Sequence, residues 1–363
     1  MSYGDYPNLD AVERVLVIKL RQHGDVLLTS PVYRVLRRAM PRARVDAYVY
    51  RDAAPMLEAH PDIAQLHRFD RSDGRSLGER AGQEWRLARL IRGERYDLVI
   101  NLTDGDRGVF TAWLSGATCR VGVDPLGEGV PWKGRLYTHV VKRCATPRHM
   151  VEQNLDALRR IGIFPAQEER DLLFVIPADA EASARERLRA SGMTPGAYIL
   201  IHPTSRWLFK SWSTARVAEL IRSLDGRGWP VVLSSGPDER ETAMVDDIVK
   251  RTSGARVVNL AGRLTLKELG AVIAASRCLV CMDSVPMHIA SALTHPVVAL
   301  FGPSSEQAWG PWRNPRGRVV ALDYSCRPCN LDGCGGSKVS DCLHSIPVET
   351  VLAQVLSLAG VSA

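Results

Sequence analysis

No run of about 18 apolar residues occurs anywhere in this sequence, so no segment is long enough to cross a bilayer as a helix. The opening MSYGDYPNLD has no basic-then-apolar leader, and a cytoplasmic location is expected, at most peripheral at the inner face of the membrane. Charge of one sign is also missing. The 47 Lys+Arg stand against 40 Asp+Glu, with the small excess spread over both halves, whereas a nucleic-acid binder should concentrate basic residues on one face. There is no Walker loop, no GxGxxG fingerprint and no GxSxG elbow. His202, His288 and His295 share no metal-ligand spacing and read as structural groups or phosphate donors. Eight cysteines in a chain without a leader are not a disulfide framework.

What is present is α/β text. At 363 residues the chain exceeds one comfortable core, so two domains are expected. Arg14–Leu20 is an apolar run of strand length, Val26–Ala39 has helical spacing with Arg34, Arg37 and Arg38 on its outer side, and Ala43–Tyr50 is the next strand. The turn between the first two is Gln22-His23-Gly24-Asp25. Its glycine lets a backbone approach a ligand, and Asp25 is equally placed to be a helix N-cap. The stretch from Gly105 to Arg148 is irregular and rich in Gly, Pro, Trp and basic residues, as functional loops are. Domains are expected at 1–170 and 171–346, with a last amphipathic helix in 347–363.

The second series centres on Cys278–Pro303. A buried strand stops on Asp283-Ser284, either of which can cap the helix that Pro286 opens, and Val297–Phe301 is the following strand. Ligands of parallel sheets sit beyond the strand carboxyl ends, near helix N-termini, so Asp283–His288 lies where a diphosphate would lie; capping and packing alone are the plainer alternative. An earlier strand runs into His202-Pro203-Thr204-Ser205-Arg206 and on to Lys210, where hydroxyls and cations converge as a phosphate site requires. Ser234–Glu241 places acids in a first helical turn, either for the helix dipole or for ribose hydroxyls. Cys326, Cys329, Cys334 and Cys342 form a C-x2-C-x4-C-x7-C segment at 326–342. It can close a tetrahedral site on structural zinc or iron, or carry reduced thiols in a loop.

Together, VLVIKLRQHGDVLLTSPVYRVLR, HPTSRWLFKSWS, SSGPDERE and CMDSVPMHIASALTHPVVALFGPSSEQAWGPW resemble the lipopolysaccharide core heptosyltransferase family, closest to its third inner-core branch, over about residues 14–355. The resemblance implies the GT-B fold: two Rossmann-like domains facing a cleft, the first holding acceptor and the second ADP-heptose, with a C-terminal helix that can return to the first. It implies transfer of heptose from ADP-L-glycero-β-D-manno-heptose to lipid A–core lipopolysaccharide, with inversion, no catalytic cofactor and transient contact with the membrane surface. By position Asp25 would be the general base and Lys210 would act on the leaving diphosphate. Thr204, Ser205, Arg206, Ser284 and His288 would join Lys210 around the donor, and Glu239 and Asp283 would hold sugar hydroxyls. Arg21, Arg120, Lys133 and Arg135 would meet the acceptor, helped by the basic outer side of Val26–Ala39. Val285 replaces a glycine usual in the family, and its branched side chain limits backbone approach. A protein hydroxyl as acceptor, or a non-catalytic sugar-nucleotide-binding module, are the competing expectations.

Overall fold

The computed structural model describes residues 5–71, 76–124, 129–130 and 132–360, so the first four residues and the last three of the expected 347–363 segment lie outside the described residues. The chain divides after Val175 into two compact units.

The first unit begins with β1 (Arg14–Lys19), α1 (His23–Leu27), α2 (Ser30–Ala39) and β2 (Arg44–Tyr50). It continues through β3 (Gln65–Phe69), α3 (Leu77–Gly93), β4 (Leu98–Asn101) and α4 (Asp106–Leu114), then β5 (Cys119–Val123), β6 (His139–Val141) and α5 (Met150–Arg159). All six strands are parallel, in the order β3-β2-β1-β4-β5-β6. Val15–Ile18 and Leu98–Ile100 are fully buried, because strands covered by helices on both faces read as continuous apolar runs.

The second unit repeats the plan. After α6 (Ala178–Ala190) come β7 (Ile199–His202), α7 (Thr214–Asp225), β8 (Val231–Leu233), α8 (Glu239–Arg251) and β9 (Val257–Asn259). Then follow α9 (Leu266–Ala275), β10 (Cys278–Met282), α10 (Val285–Ala292), β11 (Val297–Phe301), α11 (Glu306–Trp309) and β12 (Gly317–Ala321), closed by α12 (Asp341–His344) and α13 (Val348–Ala359). The sheet order is β12-β11-β10-β7-β8-β9, again all parallel. Each sheet therefore reverses its direction of growth beside its first strand, between β1 and β4 and between β7 and β10. Such a reversal opens a crevice at the carboxyl ends where ligands bind.

Local chemistry explains the element ends. Thr265 and Glu268 form a reciprocal capping box on α9, and Asp238 accepts from the Arg240 N–H to open α8. The expected helix over 26–39 is two helices: Thr29 turns its hydroxyl back to Val26 O at 2.7 Å, and α2 restarts at Ser30 with Pro31 in its first turn. The last helix, α13, packs on α7, β10, β11 and β12 within the second unit. It buries Val348, Val351, Leu352, Val355 and Leu356 there, at about 1.5–3 kcal/mol for each side chain removed from water.

Candidate active site

In the second unit the loops after β7 and β10 meet across the sheet reversal. Lys210 lies in the short 3₁₀ turn Leu208–Lys210, and its Nζ donates to Asp283 Oδ2 at 2.8 Å. The same carboxylate oxygen accepts the Ser304 hydroxyl at 2.6 Å from the loop after β11. Asp283 is nearly buried and Lys210 about a quarter exposed, so the ammonium is held in place with a face left to solvent. Ser284 is the N-cap of α10, but its hydroxyl donates to Met282 O rather than bonding the helix N–H groups. The backbone donors of that first turn are thus not consumed by a side-chain cap. His288 is buried on α10.

Beneath this surface Glu241 ties two loops together. It accepts the Thr204 hydroxyl at 2.6 Å and the Gly236 N–H at 3.2 Å, and all three are withdrawn from the surface or nearly so. Burial lowers His202 to about 4, so its ring is neutral at pH 7 and shares a hydrogen bond with the Ser234 hydroxyl.

In the first unit Asp25 is the third residue of α1, half-buried, directly beyond the carboxyl end of β1. It is not a cap. Gln22 holds that position and makes no side-chain capping bond. Lys19 closes β1 fully buried, donating to Leu102 O at 2.9 Å and Asn154 Oδ1 at 3.2 Å. Burial lowers the pKa of this ammonium, and the carboxylates of Asp25 and Asp104 oppose the shift. Asp104 accepts from Arg21 at 2.8 Å and from Arg143 at 2.9 Å. Burial pushes its carboxyl up, but the Arg21 bond and the Arg143 and Lys19 charges outweigh that and hold it below its ordinary value. Behind them Asn101 donates to Tyr137 Oη at 2.6 Å and to Thr103 O, while the Thr103 hydroxyl accepts the Leu20 N–H at 2.7 Å. Gly122 makes the Tyr137 position possible, since a Cβ there would lie 2.1 Å from the ring.

Several expected roles change. Thr204 is fully buried with its hydroxyl committed to Glu241, so it supports the loop rather than facing a donor. Ser205 is buried, its hydroxyl accepting the Trp207 N–H, while Arg206 is exposed. Glu239 is exposed at the start of α8, and the buried acid is Glu241, two residues on. Asp283 holds Lys210 instead of standing open for sugar hydroxyls. Arg21 is at the crevice, but Arg120 is one residue into β5, at the amino edge of the sheet, where it donates to Leu136 O and Ala117 O. Lys133 is buried and paired with Asp106 at 2.8 Å, close to the crevice floor, and Arg135 is exposed. On the outer side of α2, Arg38 is paired with Glu169 and Arg37 donates to Pro41 O, which leaves that face less free than its composition implies. Lys19 and Asp104 were not singled out from sequence, and Arg143, Glu241 and Ser304 lay within longer stretches without a role of their own. Their only signal was position, at or just after the carboxyl end of a strand or one helical turn beyond.

The four clustered cysteines are free thiols, with Cys342 buried on α12 and Cys326 and Cys334 exposed. Among the described residues no group of three or more His, Cys, Asp or Glu could hold a metal ion, so the structural zinc or iron expected at 326–342 has no support. The physical reason is division: one thiol belongs to the core, and Cys334 accepts the Asp341 N–H at 3.4 Å as part of its loop. Burial raises the Cys342 thiol, Arg327 opposes this, and the other three thiols add to the rise.

Residues 84–339 match the profile of glycosyltransferase family 9 (heptosyltransferase). The chain belongs to that family. It is a glycosyltransferase, 32% identical over 309 residues to lipopolysaccharide heptosyltransferase 3 of Escherichia coli, covering 85% of this chain and 89% of that protein. Lipopolysaccharide heptosyltransferase 1 of Pseudomonas aeruginosa is 28% identical over 88% of this chain and 87% of its own. Two solved structures share the fold. A family 9 glycosyltransferase from Veillonella parvula superposes with a TM-score of 0.82, at 23% identity over 98% and 99% of the two chains. E. coli ADP-heptose lipopolysaccharide heptosyltransferase II gives 0.75, at 22% identity over 95% and 98%. Among the described residues no helix of this family 9 chain is long and apolar enough to cross a membrane.

Proposed function

We propose that the protein transfers heptose from ADP-L-glycero-β-D-manno-heptose to the inner-core heptose of a lipid A–core lipopolysaccharide acceptor, at the inner face of the cytoplasmic membrane. The observation that carries the reading is the Lys210–Asp283 pair at the carboxyl-end reversal of the second sheet, in a family 9 chain resembling heptosyltransferase 3. A cation anchored by a carboxylate at that place suits a diphosphate leaving group.

The chemistry is a single displacement. The acceptor hydroxyl oxygen forms a bond to the anomeric carbon as the bond from that carbon to the β-phosphate oxygen breaks. The hydroxyl proton passes to the Asp25 carboxylate, and the bonding electron pair leaves with ADP. Inversion follows, because one displacement occurs and no enzyme carboxylate acts as nucleophile. Lys210 stabilises the charge that grows on the diphosphate; Asp283, itself fixed by the Ser304 hydroxyl, holds the lysine so that little reorganisation is needed as the charge develops. The N–H groups of the α10 first turn supply further donors for the phosphates, with Val285 in place of a glycine narrowing their approach. Around Asp25, the cations Lys19, Arg21 and Arg143 and the acid Asp104 form a polar floor that suits an anionic core saccharide.

The experiment is to incubate purified protein with ADP-heptose and a core acceptor that carries the first two inner-core heptoses. ADP release together with addition of one heptose to the acceptor, by mass spectrometry, is expected. ADP-heptose binding without transfer to that acceptor would overturn the reading.

A further inference from the structure

The first unit carries a surface that the transfer reaction does not use. Helix α3 packs along α4, and a cavity of about 230 Å³ between them is walled by Leu87, Ile91, Phe110 and Leu114, with Arg107 also lining it. A second depression shares Leu114 with it and adds Arg92 and Trp113; a third shares Arg92 and adds Arg89 and Arg95. The three therefore adjoin one another in a row. Around them Trp85 is 63% exposed, Trp113 50%, Leu90 46% and Leu114 39%. Arg89 lies over the Trp85 ring at 5.4 Å, and Arg92 donates to Leu114 O. Arg86, Arg89, Arg92 and Arg95 make no ion pair with a carboxylate among the described residues.

Exposed apolar groups gathered in one place mark an interaction surface. Tryptophan is amphipathic and favoured at the headgroup level of membranes, and clustered arginines attract anionic headgroups. A second copy of the same chain would set arginine against arginine, so charge complementarity favours an anionic occupant over self-association. The apolar cavity between the helices favours lipid over a hydrophilic polyanion. We infer that the α3–α4 face docks the protein on a bilayer bearing anionic phospholipid headgroups. The benefit to transfer rests on the acceptor being lipid-linked, as proposed above. Helix α4 starts at Asp106, two residues after the crevice residue Asp104, and ends at Leu114 on the docking face, so docking lays on the bilayer a side of the first unit that runs from the crevice to the amino edge of its sheet.

The test uses the full-length protein with vesicles of phosphatidylcholine alone or mixed equally with phosphatidylglycerol, and reads the bound fraction by flotation. Preferential binding to the mixed vesicles, reduced by salt, is expected. Arg89→Glu combined with Trp85→Ser should weaken that binding roughly ten-fold or more, without altering transfer to a deacylated, water-soluble acceptor. Both side chains are exposed, so the fold should survive; Arg86→Glu with Trp113→Ser is the independent second pair. Equal binding to both vesicle types, or unchanged binding of both variants, would overturn the inference, as would a dimer that either variant dissociates. Vesicle binding lost in the variants while the wild type shows no heptose transfer would uphold docking and count against the proposed function alone.

Discussion

Replacing Asp25 by Asn separates the chemistry of the first unit from its stability. Asp25 is in the first turn of α1, its side chain caps nothing, and its carboxylate is one of two that oppose the desolvation of the Lys19 ammonium. The stability lost with the charge is therefore a helix-dipole contribution on a five-residue helix plus a weakened interaction with Lys19. About 0.3–1 kcal/mol covers the dipole contribution, a shift of about 1–4 °C in thermal midpoint for a unit of this size. The effect on turnover should be far larger. Asn keeps the shape and can still accept a hydrogen bond, but it cannot take the acceptor proton at neutral pH, and loss of a general base costs about 10²–10⁴ in rate. The assay is turnover at saturating ADP-heptose and acceptor, run beside a thermal melt and ADP-heptose titration of the same preparation. A folded variant with wild-type donor affinity and near-normal turnover would refute the base assignment. A fall in donor affinity equal to the fall in rate would refute the division of labour between the units.

Lys210→Ala should reduce turnover at saturating donor by about 10²–10³, the loss of one preorganised contact to developing charge; an unchanged turnover removes Lys210 from the leaving-group role. Thr204→Val should lower the thermal midpoint, because Glu241 then loses a buried donor at about 1–3 kcal/mol, while ADP-heptose affinity stays within about two-fold. A large loss of affinity at unchanged stability would show that the hydroxyl meets the donor after all. His202 and His295 are both lowered by burial to about 4, below the ordinary value near 6.5, so the unfolded chain binds more protons between those limits. Stability should be fully present above about pH 6.5 and fall by about 2 kcal/mol per histidine by pH 5, read as a drop in urea midpoint that His202→Asn partly abolishes.

The segment 278–303 was legible because its signals are local. Two apolar runs flank a stretch that Pro286 opens and His295-Pro296 closes, and the three are β10, α10 and β11 with ends within a residue or two. Asp25, Lys210 and Asp283 could be placed beside a sheet end for the same reason, each following a strand whose carboxyl end the apolar run marks, while their roles come from the family resemblance. The acids of α8 show where legibility ends. Glu239 and Glu241 are two residues apart, and only the packing of α8 on its sheet decides which one turns inward to Thr204. Arg120 fails differently: its role came only from the resemblance, and the pairing of β5 places it at the amino edge of the sheet rather than the ligand edge. The cysteine spacing satisfied a metal-site pattern, whereas its thiols are shared between α12 and the surface loops. Ser304 lay inside a stretch that carries the resemblance but had no role assigned to it, and it matters through a contact with Asp283 from the loop after the next strand.

The strand order common to the two units also shapes how each is made. The crevice-forming pairs join residues far apart in the chain, Val15 with Leu98 and Ile199 with Cys278, while β1 with β2 and β7 with β8 close shorter loops. Distant parallel pairings pay their loop entropy before any contact rewards it, so the ligand-bearing edge should be the slow step in assembling each sheet. During synthesis the first sheet has all six strands once residue 141 has emerged, before β7 exists, so the Asp25 half can mature while the Lys210 half is still unmade.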